Sequence, residues 1–187
     1  TVGRPSHAGN HPERGINAVL EMAEQIVRIN GLQDLRNGIS VAVNTIEGGT
    51  ASNVIAAHAT ASIDVRTLTQ FDMDNIHAEL MDLRPRIFGS EVNVTLRGMR
   101  GPMERDDTMA ATFKQAKAIA SDLGLAIYEE TVGGGSDGNI TAGLGVPTLD
   151  GLGPRGGGAH TQEEHVIIRS LPERAAHMAA MLRDWEM

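Results

Sequence analysis

The residues best suited to chemistry lie between Gly133 and His160, where two glycine-rich turns flank one short apolar segment. The first turn, GGGSDGN, contains Ser136 and Asp137, which are favourable N-cap residues and predict a turn from a strand into a helix. Such a turn presents free N–H groups that can bind an anion. The second turn ends at His160, where open α/β sheets place ligands. Taken alone, the stretch favours two ordinary tight turns and a surface histidine.

The seven histidines do not form a recognised metal-binding motif. His160 and His165 are five residues apart, whereas the helical zinc motif needs two histidines at i and i+4 on one face. We expect His77 and His177 to be exposed helix residues. Two further histidines have no motif around them and are interpreted as structural or solvated: His11 and His58.

A dinucleotide site is a less favoured alternative. The segment GGGSDG fits the pattern GxGxxG through Gly133, Gly135 and Gly138, and Asp150 ends the next predicted strand, as a ribose-binding acid would. However, the intervening helix has room for only about two turns, and a crossover between parallel strands normally needs a longer helix. The sequence contains no GxSxG elbow, no phosphate-binding P-loop and no isolated carboxylate pair.

Composition excludes several other classes of protein. The chain of 187 residues is 41% hydrophobic but only 3% aromatic, which predicts an aliphatic core in one domain or two small ones. A net charge of -8 without a basic run disfavours nucleic acids and anionic membranes as partners. The absence of cysteine excludes disulfides and thiolate metal sites, and no apolar run is long enough to span a bilayer.

The first hundred residues predict an antiparallel sheet with two helices on one face, in the order βαββαβ. The expected elements are a strand end at 2–6, a helix at 12–30, strands at 39–46 and 58–66, a helix at 76–87 and a strand at 92–96. We expect the first strand to be truncated at Thr1 and the chain to be a fragment that lacks an N-terminal part. Localisation, cytoplasmic or periplasmic, stays open because a leader could have been lost with that part.

The remaining residues, after a boundary near Arg100, predict an α/β segment with too few strands for a stable sheet of its own. We expect strands at 126–132 and 146–149, and a final helix opened by a capping box from Ser170 to Glu173. The first helix of this part is predicted to bury Met109, Phe113, Ala116, Ala120 and Leu123. The final helix is predicted to bury Leu171, Ala175, Met178, Leu182 and Trp185.

Four motifs taken together resemble one enzyme family. They are SHAGNHPERGINAVLE, IEGGTASNVIAAHATASIDVR, GGGSDGN with GVPTLDGLGPRGGGAH, and the terminal capped helix. In this order and spacing they resemble the two-zinc metallopeptidase family of glutamate carboxypeptidases, aminoacylases and succinyl-diaminopimelate desuccinylases. They are most similar to the bacterial folate-cleaving glutamate carboxypeptidases. The resemblance implies an α/β chain with a ferredoxin-like βαββαβ dimerisation (lid) domain at 1–99 and the C-terminal part of the zinc-peptidase catalytic domain at 100–187.

The resemblance also implies roles for individual residues. His160 would be a zinc ligand, the last one in chain order. His7 would reach across a homodimer into the partner's site and stabilise the tetrahedral oxyanion, which is a large catalytic contribution. The positions that would hold the carboxylate of the substrate are Asn53, Arg100, Gly135 and Ser136.

The chain departs from the family pattern at several points. Ala56 replaces a proline, Gly101 separates Arg100 from Pro102, and Glu164 is the best match for a family glutamate that follows His160. The other metal ligands and the general base would lie in the missing N-terminal part. A catalytic zinc needs about three protein ligands, so we expect this chain alone to be inactive and not to retain the two zinc ions.

The expected activity of the full-length parent is hydrolysis of an amide bond in a small N-acyl amino acid or peptide. The product would be a C-terminal, glutamate-like amino acid. Two alternatives remain, a non-catalytic dimerisation module and, less favoured, the dinucleotide-binding domain.

Overall fold

The computed structural model describes residues 1–185 and divides into two compact units, Thr1–Pro102 and Met103–Met187. We call them the N-terminal and the C-terminal unit. The fold class is mixed α/β, as predicted: each unit combines helices with a two-stranded antiparallel sheet. No helix within residues 1–185 has the length and apolar character needed to cross a membrane.

The first helix, α1, spans Ala18–Asn30 and begins later than predicted. Asn17 caps it, since its side-chain oxygen accepts hydrogen bonds from the N–H groups of Val19 and Leu20 at 3.0 and 3.3 Å. The predicted start at Pro12 is wrong: Pro12–Arg14 form a separate 3-10 turn. A second 3-10 turn covers Leu35–Asn37.

The sheet of the N-terminal unit contains β1, Ser40–Gly48, and β2, Ala59–Arg66, paired antiparallel. Both strands are predicted correctly from the alternation of apolar residues. Val41 opposes Val65 on the core face, and an irregularity between Val43 and Thr45 then shifts the register.

Helix α2, Gln70–Met81, packs on this sheet and is capped by Thr69, whose hydroxyl accepts the N–H of Asp72 at 3.0 Å. The main core of the unit is formed by residues from α1, β1, α2 and the turn after it. These residues are Ile29, Val41, Ile76, Leu80 and Leu83.

Only two of the four predicted strands of the N-terminal unit form. Residues 92–96 make no strand, although Val92 and Val94 pack against the core. At the other predicted edge, Val2 makes isolated antiparallel bridges to both His58 and Glu91. A ladder needs a continuous neighbour, and between residues 58–66 and 91–96 only the start of the chain, around Val2, supplies one.

A buried carboxylate ties α1 to the turn that follows α2. Glu21 is fully buried and accepts hydrogen bonds from the N–H groups of Arg86 and Ile87 at 3.0 and 2.7 Å. The hydroxyl of Ser90 and the amide of Gln25 donate to it at 2.7 Å each. Burial on its own raises the pKa of Glu21, but these hydrogen bonds lower it, and the net shift is downward.

The C-terminal unit contains α3, Asp107–Asp122, α4, Gly138–Gly143, and α5, Ser170–Asp184. A short hairpin pairs β3, Gly156–Gly157, with β4, His165–Val166. The strands predicted at 126–132 and 146–149 do not form. The core of the unit lies between α3 and α5 and is built from Ala116, Ile119, Ala180 and Met181.

Helix α5 buries a different face from the predicted one. His177, expected to be exposed, is 1% exposed, and its Nε2 lies 3.0 Å from the carbonyl oxygen of Ala116 in α3. Leu182, expected inside, is 88% exposed. Leu171 and Met178, two more residues of the predicted stripe, are also exposed. The helix docks through small residues and one histidine, so its apolar stripe does not mark the contact.

The prediction for the start of α5 and part of that for α3 are also wrong. Ser170 makes no capping box, because its hydroxyl donates to the carbonyl of Ile167 at 2.6 Å and accepts the N–H of Arg155 at 2.9 Å. Glu173 instead pairs with Arg155 at 2.7 Å. In α3, Leu123, predicted inside, is 41% exposed.

Candidate functional site

Two paired loops of the N-terminal unit bring His7 and Asn53 together. The N–H of Ala8 donates to the carbonyl of Asn53 at 2.9 Å, and the N–H of Ile55 donates to the carbonyl of Ser6 at 2.9 Å. The backbone on either side of His7 is therefore bonded to the segment that carries Asn53. Both side chains are exposed at the surface of the unit.

Backbone donors determine which nitrogen of His7 is free. Its Nδ1 accepts the N–H groups of Gly9 and Asn10, each at 3.1 Å. Because an acceptor nitrogen carries no proton in the neutral ring, the proton lies on Nε2. His7 thus closes the turn that follows it, as a purely structural residue would, and it also presents one N–H donor to an incoming group.

A cavity of about 270 Å³ lies beside these loops. Its wall includes Val54 and Ile55, next to Asn53, and it also contains Glu47 and His58, which close the end of the β1–β2 hairpin. Sequence reasoning interpreted His58 as structural or solvated and missed its place in this wall. The alternation of β2 could have given that signal, because it predicts which residues share a face.

Arg100 lies elsewhere in the N-terminal unit. It lines a second cavity of about 400 Å³, whose wall includes neither His7 nor Asn53. The expected set of carboxylate-binding residues is therefore not gathered around one cavity of this unit.

In the C-terminal unit, Ser136 and Gly135 precede the short helix α4. The N–H of Ser136 donates to the side-chain oxygen of Asn139 at 2.9 Å, and its hydroxyl accepts the N–H of Gly138 at 3.1 Å. The expected cap by Asp137 makes no side-chain hydrogen bond to the helix. With a helix of only six residues and no strand on either side of it in the described chain, the dinucleotide-binding unit is not formed.

His160 occupies the loop between β3 and β4 and is exposed. It has φ of 65°, the only positive value for a non-glycine residue in the described chain. The N–H of Thr161 closes the turn on the carbonyl of Gly158 at 3.0 Å, and the N–H of His160 lies 3.4 Å from a carboxylate oxygen of Glu164. A strained backbone of this kind persists where its surroundings hold it and is frequent at functional sites.

Comparisons with known proteins identify the family. Residues 1–89 match the family described as a peptidase dimerisation domain. Carboxypeptidase G2 from Pseudomonas sp. (strain RS-16) is 30% identical over 187 residues, which cover 98% of this chain and 45% of that protein. The chain belongs to this metallopeptidase family.

Two further relatives support the same assignment to the metallopeptidase family. Succinyl-diaminopimelate desuccinylase from Methylococcus capsulatus is 28% identical, over 94% of this chain and 45% of that protein. The crystal structure of aminopeptidase PepT from Bacillus cereus superposes with a TM-score of 0.70 at 26% identity, covering 96% of this chain and 48% of that one. The chain thus spans about half the length of these metallopeptidases.

The family assignment does not extend to a metal site within this chain. A histidine ring such as that of His160 suits zinc, but a zinc site needs three or four ligands around the ion. Residues 1–185 contain no group of three or more histidine, aspartate or glutamate side chains that could hold a metal ion. The described residues therefore do not fit a complete zinc site.

Proposed function

We propose that this chain supplies the dimerisation domain and the C-terminal part of the catalytic domain of a zinc-dependent amidohydrolase. The enzyme would cleave the amide bond of a small N-acyl amino acid or peptide and release a C-terminal, glutamate-like amino acid. The observation that carries the proposal is the loop pair that holds His7 beside Asn53, within the residues that match the peptidase dimerisation domain. The name of carboxypeptidase G2 supports the substrate class.

In this proposal His7 is the donor to the tetrahedral oxyanion in the neighbouring subunit's site. Its bonded Nδ1 supports the role, because the two backbone N–H groups fix both the ring and the tautomer with Nε2–H outward. A donor that is already oriented needs no reorganisation when negative charge develops on the carbonyl oxygen.

The carboxylate of the substrate would be recognised by Asn53 and Arg100, together with the loop before α4. The N–H of Ser136 is already bonded to Asn139, so we assign the backbone contact of this loop mainly to Gly135. His160 would contribute one zinc ligand, and the rest of the metal site would come from residues outside this chain.

The enzyme would be a homodimer joined through the N-terminal unit. Two features support this assembly besides the family match. The side of α1 that faces away from the core carries apolar residues, with Leu20 53% and Val27 74% exposed. Within residues 1–185, no strand pairs with the outer edge of β1, and a free edge of this kind can pair with a second copy.

The test uses the full-length enzyme that contains this chain, with an N-acyl glutamate as substrate. We expect His7→Ala to lower kcat by about 10²–10³ with a small change in KM, because it removes one oxyanion donor. The matched control is His11→Ala, since His11 is an exposed histidine of the same loop that pairs only with Glu13. Zinc content and dimerisation should not change in either variant.

Mixed dimers test the action across subunits. Subunits with His7→Ala combined with subunits with His160→Ala should recover part of the activity, because one site of the mixed dimer keeps both its metal ligand and its donor. If subunits exchange but activity does not return, His7 acts within its own chain or only shapes its loop.

A second candidate function is a non-catalytic dimerisation module. It is favoured by one observation, the lack of a metal-binding group in the described residues. A full-length protein that forms dimers but neither binds zinc nor hydrolyses N-acyl amino acids would support this alternative.

A further inference from the structure

The larger cavity of the N-terminal unit is an elongated space between two extended segments. One wall is the edge of β2 that faces away from β1, at residues 60–65, and the other is the segment 92–100. Apolar residues of α1 and α2 form the floor of the cavity. These residues are Met22, Ile29, Ile76 and Leu80.

The start of the chain already lies between the same two walls. Thr1 and Ala59 exchange two hydrogen bonds, of 2.7 Å from the N-terminal nitrogen and 3.1 Å to the carbonyl of Thr1. On the opposite side Val2 and Glu91 exchange two bonds of 2.9 Å. Residues Thr1 and Val2 are therefore the end of a central strand position, antiparallel to both neighbours.

These contacts fix the register of every position along the cavity. Continuing the line of the chain past Thr1, the first position opposes Thr60 on one wall and Asn93 on the other. The second position opposes Ala61 and Val94, since antiparallel partners move in opposite directions by one residue each. The fourth position, in the same way, opposes Ile63 and Leu96.

The two registers agree independently on which positions face the core. Ala61 and Ile63 lie on the inner face of β2, and Val94 packs against the same core from the other wall. Even positions of the cavity therefore have apolar neighbours on both sides. Odd positions lie between polar residues, beginning with Thr60 and Asn93. A strand in the cavity would need polar and apolar residues in strict alternation.

The walls also hold polar groups that lack partners. In β2 the N–H of Ala59 points to the cavity side, toward Thr1, so the N–H groups of Ala61 and Ile63 point to the same side. No hydrogen bond of these two groups occurs within the described residues. The side-chain oxygen of Gln25, on the floor of the cavity, is buried and has no partner there either.

We propose that this cavity is an acceptor site for an extended polypeptide strand, placed in line with Thr1 and antiparallel to both β2 and the segment 92–97. The strand carries apolar side chains at its second, fourth and sixth positions before Thr1 and polar side chains between them. Filling the site converts two separate edges into one continuous four-stranded sheet. The proposal rests on the geometry of the N-terminal unit and does not depend on the catalytic role of His7.

The test joins a short strand to Thr1, which fixes its register. One variant of the full chain carries an N-terminal extension of about six residues, Val-Thr-Val-Thr-Val-Thr. The control carries Thr-Val-Thr-Val-Thr-Val, which has the same composition but places every side chain on the opposite face. Amide hydrogen exchange is measured by NMR for both variants and for the unextended chain.

We expect the first extension to slow the exchange of the Ala61, Ile63 and Asn93 amides by about tenfold or more, because each gains a strand hydrogen bond. The Ser62 amide, which faces β1, is the internal control and should not change. Equal protection by both extensions, or by neither, would overturn the proposal. Protection of these amides in the unextended chain that grows with protein concentration would also overturn it, because a second copy would then occupy the site.

Discussion

Replacing Glu21 with glutamine removes the only negative charge from the contact between α1 and the turn after α2. In the native protein four donors converge on the two carboxylate oxygens, from Gln25, Arg86, Ile87 and Ser90. Glutamine has one acceptor oxygen and places an NH₂ group where the second oxygen was. At least one backbone N–H then faces another donor and loses its partner, while the hydroxyl of Ser90 can turn to the carbonyl of Ile87.

The expected loss follows from the types of bond involved. A hydrogen bond to a charged group contributes about 1.5–3 kcal/mol, and a buried donor left without a partner costs about 1–3 kcal/mol. Since one or two backbone donors are affected, we expect Glu21→Gln to lower the free energy of unfolding of the N-terminal unit by about 2–4 kcal/mol at neutral pH.

The pH dependence gives a second signature. The pKa of Glu21 is lowered in the folded protein, so the folded state favours the ionised form more than the unfolded state does. This contribution to stability is complete above the unfolded pKa, near 4.3, and is lost as pH falls through the lower folded pKa. The gap between the native protein and Glu21→Gln should therefore narrow below about pH 4.

The measurement is urea unfolding followed by circular dichroism, at neutral pH and at low pH, with hydrogen exchange of the Arg86 and Ile87 amides. Glu24→Gln is the matched control, because Glu24 lies on the same helix and is exposed. A Glu21→Gln variant within about 0.5 kcal/mol of the native protein, or a gap that stays constant as pH falls, would refute this account of the carboxylate.

Three further predictions concern the rest of the chain. His177→Ala should destabilise the C-terminal unit by about 2–4 kcal/mol, since it leaves a cavity and an unpaired carbonyl at Ala116; urea unfolding checks this, with the exposed His165→Ala as control. Val27→Asp should weaken dimerisation in sedimentation experiments, whereas Leu182→Asp on α5 should not; equal dimerisation of both variants would contradict the proposed interface. The purified chain alone should not hydrolyse N-acyl glutamates, and zinc-dependent turnover by this chain would disprove that expectation.

The sequence predicts local features of the fold better than partners in space. The alternation in 39–46 and 58–66 is enough to identify β1 and β2, because each strand has one buried face. The same alternation at 92–96 does not produce a strand, since a ladder also needs a neighbour and none extends along that segment. Start signals failed in a similar way: Pro12 suits a first turn, but Asn17 provides the side-chain cap that defines α1.

Buried faces were predicted least well, because helix docking in this chain does not follow the apolar stripe. In α1 the stripe that includes Leu20 and Val27 faces outward, while Glu21 and Gln25 are buried through hydrogen bonds. A carboxylate is almost never fully buried unless it is paired. The partners of Glu21 lie about 65 residues away in the sequence, so no local pattern reveals them.

For the candidate site, the motifs suggested which residues to consider but not how they are held. The pairing of the His7 and Asn53 loops, the occupied Nδ1 of His7 and the left-handed backbone of His160 are all consequences of contacts between or within turns. Arg100 illustrates the opposite case. Its motif match suggested a place beside Asn53, and within the N-terminal unit it lines a different cavity.

The proposed role of His7 makes assembly and catalysis inseparable. If its Nε2–H serves the neighbouring subunit's site, then a monomer has no oxyanion donor even when all its other residues are in place. A substitution such as Val27→Asp, on the outer side of α1 and in neither described cavity of the N-terminal unit, should then reduce activity in proportion to the dimer that it removes. This links an apolar stripe that the core does not use with a histidine whose only contacts within its own chain hold it in place.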